Sequence, residues 1–385
     1  MQLDFHYYAT YCSAFLAGYS HKESMEICYS AQLVDCMSKT FLKKIKASPI
    51  AATTQLSLEM VDSNKDILEL QNITRIWSSF HFLPYDLYAN IKAPKPYRDK
   101  YRLICNTNSD LLVKTVNLAK KNATLQSTGI AMHVLADTWA HRYFAGVPSL
   151  VINNTNSYFY EVTYKDGQEQ TRKIKFNNNP FKTDDIENAI YTKSMFQTSE
   201  NAIMNLGHGR AGHLPDYSFM RYKYMPAWNK YEVIFKDNPS DYYHAFCQMT
   251  YALKFLHGDR TSFEKDTYEF DQLKKYENKI KEILEKRQLD SCNDWKAFGE
   301  SLSGQTIEPF DLGKYEEEYV AATKQAKDDT FLGKFIEAAI AQKSMVTNEI
   351  ADSKNFLAGR SIDRKKRRAK RLSKLLKKNK KQGVQ

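Results

Sequence analysis

The 385-residue chain is 42% hydrophobic and carries 25 Tyr and 21 Phe, which excludes a disordered polymer. No window approaches the roughly 18 uninterrupted apolar residues of a membrane helix, and six scattered cysteines with no C-x-x-C pair are read as reduced core thiols rather than a disulfide scaffold. The net charge of +11 is local: residues 364–381 hold 12 Lys or Arg and no acid, and the remaining 44 basic and 45 acidic residues nearly cancel.

The N-terminal "LDFHYYATY" sets His6 close to Asp4. It shows no basic start followed by an apolar run, so no signal peptide is read and a cytoplasmic location is expected. Ser20 and Glu23 form a capping-box pattern that opens a predicted helix, and Asp35 ends its apolar pattern. "WSSFHFLPYD" places His81 just before a Pro-marked turn. Residues 107–146 predict two helices separated near Asn122–Ala123. Within the second, His133, Asp137 and His141 recur every four residues, about 40° apart around a helix, among Ala, Val, Leu and Trp139. Burying three such groups is costly unless something pairs them. Imidazole and carboxylate are the nitrogen and oxygen ligands of zinc, and a bridging carboxylate can serve two neighbouring ions.

Residues 157–176 alternate apolar and polar around "KDGQ", which predicts a β-hairpin turning at Asp166–Gly167, inserted in a helical body. Helix is expected again over residues 181–209. "NLGHGRAGHLPDYSF" follows, with His208, His213 and Asp216 in a loop whose glycines permit tight curling. Charged helices are expected after residue 260, with a further helix near 315–350. The chain thus reads as mainly α, divided into a helical metal-binding domain (1–260), a charged helical extension (261–355) and a basic disordered tail (356–385). His21, His244 and His257 carry no comparable pattern.

The motifs "LDFHYYATY" and "HVLADTWAHRYFAG" resemble an uncharacterised bacterial family of unknown function, over roughly residues 1–260. The order of histidines and aspartates is also distantly similar to the zinc-dependent phospholipase C and single-strand nuclease superfamily. That resemblance implies a mostly helical body holding two or three zinc ions that hydrolyse phosphodiesters. Asp35, His81, His133 and Asp137 would form one site, with Asp137 bridging to a second. His141 would join ligands from the later loop, among His208, His213 and Asp216, in a third. The α-amine of the first residue, with a histidine soon after, is a ligand in that superfamily, which points to Met1 and His6. The sequence departs from the pattern in having Met1 in place of Trp, a short Asp137–His141 gap, and His213 and Asp216 only three positions apart.

The chemistry expected is metal-assisted phosphodiester hydrolysis of lipid or nucleic acid. Asp137 or Asp4 would orient water, and Arg210 and Arg142 would contact phosphate oxygens. The alternative is a non-catalytic, metal-stabilised binding protein. In either case residues 364–381 can act as a solubilising end, contact nucleic acid or an anionic membrane, or serve as a nuclear address within a host cell.

Overall fold

Helix Leu125–Ala140 is the axis of the molecule: every residue after the first is buried. A helix apolar on all sides needs neighbours on all sides, and helices His21–Cys36, Asp110–Asn122, Asn238–His257 and Phe331–Asp352 supply them. This arrangement is seen in a computed structural model that describes residues 1–61, 67–179, 181–195 and 197–360. The fold is mainly α with an inserted β-hairpin, as its periodicity predicts. Ser20 and Glu23 close their capping box, and Ser109 and Thr124 cap the next helix pair. Ala123, in the left-handed region at φ 51°, separates that pair.

The hairpin is formed by β1 (Thr155–Lys165) and β2 (Gln168–Lys173), registered Lys165 opposite Gln168. Asp166 and Gly167 turn it with φ of 51° and 76°, the two positive values of a type I′ turn. A short parallel pair, β3 (Lys175–Asn177) and β4 (Ile190–Thr192), follows. Then β5 (Arg221–Pro226) and β6 (Ile234–Asp237) extend the hairpin into an antiparallel sheet of order β2-β1-β5-β6. Tyr222 and Tyr224 of β5 face a second apolar cluster with Phe82, Phe144 and Phe159.

The helix expected over 181–209 is corrected: the described residues of that stretch hold turns, β4 and a short 3-10 turn at Ile203–Asn205. Side chains there bond the backbone instead of leaving it to a helix. The Asp184 carboxylate accepts from Thr192 N at 2.5 Å, and that of Asp185 from Asn188 N at 3.1 Å.

One hydrophobic cluster runs from Met1 to Ala358, so a single core crosses the boundary expected at residue 260. It also reaches past the boundary expected at 356: Ala358 is buried and its carbonyl accepts from Arg75 Nε. The basic run 364–381 lies outside the described residues. All six cysteines are free, and among the described residues no helix is long and apolar enough to cross a membrane.

The axis helix packs tightly on helix His21–Cys36 at Gly129, where a Cβ would sit 2.4 Å from Ile27 O and 2.5 Å from Ser30 Cβ. Gly129→Ala is therefore expected to destabilise by about 1–3 kcal/mol through overpacking, despite alanine's helix preference of about 1 kcal/mol. A urea titration of metal-free protein measures this; an unchanged or raised midpoint contradicts it.

Candidate metal centre

The site is assembled at the end of the axis helix. His133 and Asp137 lie on its inner face, and His141 caps it, its N–H bonded to Asp137 O at 2.9 Å. Four other segments converge there. Residues Asp4–Ala9 form a π-helix that carries His6, a local form frequent at functional sites. Its ring stacks on His133 with centroids 3.8 Å apart. Asp35 comes from the last turn of helix His21–Cys36, and His81 from the residue after helix Ile67–Phe80. His208 and Asp216 come from the glycine loop. That loop requires its glycines: Gly207 and Gly212 have φ of 55° and 59°, and a Cβ on either would meet Phe82 or Thr192 O near 2.2 Å or 2.1 Å.

Asp137 is 1% exposed, and its two oxygens face different partners. Oδ1 lies 2.9 Å from the Met1 amine and 3.2 Å from His6 Nε2. Oδ2 lies 3.2 Å from both His81 Nδ1 and His133 Nε2. Asp35 stands 3.7 Å from His81 Nδ1 and 3.9 Å from His133 Nε2. Asp216 Oδ1 lies 3.1 Å from His141 Nε2 and 3.2 Å from the Met1 amine, and Oδ2 lies 3.6 Å from His208 Nε2. Three groups can each hold a metal ion, their donor atoms within 4.8 Å of one another: His6, His133 and Asp137; Asp35, His81 and His133; His141, His208 and Asp216. Donors held tetrahedrally about 2.1 Å from zinc stand roughly 3.4 Å apart, so this spacing suits such an ion.

The outward ring nitrogens are pinned by backbone carbonyls. His133 Nδ1 bonds Ala31 O at 2.9 Å, His81 Nε2 bonds Thr53 O at 3.0 Å, His141 Nδ1 bonds His81 O at 2.8 Å, and His208 Nδ1 bonds Gly212 O at 2.8 Å. Each bond fixes a tautomer and turns the other nitrogen inward, as outer partners of metal-binding histidines do. Both ring nitrogens of His6 are buried with no hydrogen-bond partner among the described residues.

The electrostatics suit a cation. Burial pulls His6, His133 and His208 down to about 4, so their rings are neutral near pH 7. Burial works against ionised Asp137 and Asp216, but the His141 ring and the Met1 ammonium beside them outweigh it and hold both well below the usual carboxylate range. Burial likewise depresses the Met1 amine, yet Asp137, Asp216 and Asp35 raise it to about 11. Neutral imidazoles with ionised carboxylates are the protonation states that metal binding requires, whereas the Met1 ammonium has to give up its proton before its nitrogen can serve as a ligand.

Four expected residues lie outside the three groups. Asp4 falls in none of the three groups: its carboxylate accepts from Ser291 Oγ at 2.6 Å and from Phe5 N at 2.8 Å, tying the π-helix to helix Cys292–Ser303. Arg210 donates to Asn205 Oδ1 at 3.0 Å and to Gln197 O, bracing the loop. His213, its side chain 55% exposed, bonds Asp216 Oδ2 at 3.3 Å but belongs to none of the groups. Arg142 pairs with Asp241 at 2.8 Å. The carbonyls of Ala31 and Thr53 and the Ser291 hydroxyl left no mark in the sequence pattern, since any residue supplies a carbonyl.

No curated protein and no solved structure matches the chain. The model of a family described as "Family of unknown function (DUF6765)" matches residues 1–350, and the chain belongs to that family.

Proposed function

We propose that this protein is a metal-dependent phosphoesterase that hydrolyses phosphodiesters of lipid or nucleic acid, zinc being the ion best matched to its nitrogen and oxygen donors. The observation that carries this reading is Asp137, whose Oδ1 faces the Met1 amine and His6 while Oδ2 faces His81 and His133. Asp35, His81, His133 and Asp137 would hold one ion; the Met1 amine, once deprotonated, with His6 and Asp137 a second; His141, His208 and Asp216 a third. Bound there, such ions supply Lewis acidity towards phosphoryl oxygens and draw the pKa of water towards 7.

The chain's own part is positioning. The pinned imidazoles keep their donors aimed without reorganisation. Asp35, with its side chain 30% exposed, and His208, 18% exposed, are the least buried of the grouped donors, so solvent and substrate approach past them. Asp137 is the carboxylate left to orient water, Asp4 being engaged by Ser291. The bonds of Arg210 and Arg142 to protein oxygens give neither a phosphate-contact role here.

Elemental analysis of purified protein and an assay with bis-p-nitrophenyl phosphate test the reading. Metal should co-purify, chelation should abolish turnover and zinc should restore it; metal bound without turnover points to the non-catalytic alternative. Asp137→Asn should cost more than about 100-fold in turnover, beyond the range seen for outer partners, and lower the metal content by more than one ion per chain. Full metal content in that variant refutes the bridge.

His208→Ala should lose one ion per chain, whereas His213→Ala should keep all of them; the reverse result moves the ligand assignment to His213. Adding residues ahead of Met1 turns its amine into an amide, and weaker metal binding is expected. Unchanged zinc affinity in the extended protein removes the amine from the ligand set.

A further inference from the structure

We infer that Lys343, seconded by Gln342, is a positioning residue for the group Asp35, His81 and His133, which makes helix Phe331–Asp352 part of the metal centre. This inference rests on the metal-binding reading above.

Lys343 is 4% exposed and has no carboxylate within ion-pair distance among the described residues. Its Nζ donates to Ala52 O at 2.7 Å. A buried lysine without a counter-charge is costly. Burial, aided by the cations Arg75 and Lys39, pulls its ammonium down to about 7. A side chain so disfavoured calls for a reason at the one atom it holds.

That atom belongs to the peptide linking Ala52 to Thr53. Its oxygen accepts from Lys343, and its N–H donates to Met37 O at 2.9 Å. The peptide plane is therefore fixed from both sides. The next carbonyl, Thr53 O, is the one bonded to His81 Nε2 at 3.0 Å. Thr53 Oγ1 donates to Val34 O at 2.6 Å, beside Asp35. One anchored dipeptide thus aims His81 and braces the helix end that carries Asp35. Gln342, also buried, donates to Ser79 O at 3.1 Å, two residues before His81, and to Thr115 Oγ1 at 3.0 Å. Adjacent residues of one helix hold the backbone on both sides of the same histidine.

The test is zinc titration of the full chain against a competing chelator dye, with circular dichroism to confirm folding. Lys343→Met removes the donor and the buried charge together; it should fold and bind one ion about 10–100-fold more weakly, the range for outer partners of a metal site. Gln342→Leu should weaken the same ion and decides the matter should Lys343→Met fail to fold. The control is Asn355→Ala, which removes a buried bond to Asp99 O; it should lower thermal stability and leave zinc affinity unchanged. Wild-type affinity for every ion in both Lys343→Met and Gln342→Leu overturns the positioning role alone. Wild-type protein that binds no zinc overturns the underlying reading instead.

Discussion

An ionised carboxylate held out of water sets the terms for this molecule. Desolvating such a group costs several kcal/mol unless charges and donors replace the lost water. Asp137 is 1% exposed, and Asp216 and Asp35 stand close behind it. Three carboxylates face one ammonium, that of Met1, while burial drives His6, His133 and His208 neutral. The donors of each group lie within 4.8 Å of one another, a spacing that a divalent cation fits.

The fold follows from bringing these groups to one point. A helix buried on all sides offers two donors, His133 and Asp137, to whatever packs against it. Helix His21–Cys36 can lie close enough to deliver Asp35, and the Ala31 carbonyl for His133, because Gly129 has no side chain at the crossing. The π-helix is held by Phe5 against Tyr242 and Trp295, and by Asp4 on Ser291, which leaves His6 and the Met1 amine facing inward. The glycine loop supplies the last side, curled by residues that tolerate positive φ.

Much of this was legible in the sequence, and the part that was not has a common cause. The His133–Asp137–His141 row, the capping box at Ser20 and the Asp166–Gly167 turn are local signals whose meaning survives in any context. Residues 181–209 misled because their apolar spacing suggests helix, while Asp184 and Asp185 spend their carboxylates on nearby N–H groups. Proximity in sequence to a donor does not fix direction in space: the Asp4 carboxylate turns to Ser291, and the Arg210 guanidinium to Asn205. His208 and His213 carry identical chemistry in the same loop. Only the folded backbone separates them, by giving His208 the Gly212 carbonyl and leaving His213 half in solvent.

The same reasoning bears on the part of the chain beyond residue 260. A metal site needs a rigid outer layer, because an imidazole free to rotate gives back in entropy what its bond to the ion contributes. Here that layer is built from the least conspicuous atoms of the chain, the carbonyls of Ala31, Thr53, His81 and Gly212. Carbonyls have no side chain to lock them; they are held only as firmly as their own peptide groups. Thr53 is held through Ala52 by Lys343, a residue 262 positions beyond His81 that belongs to the last helix of the common core. Residues on both sides of position 260 thus share one core, and the peptide whose carbonyl bonds His81 is itself bonded from the final helix.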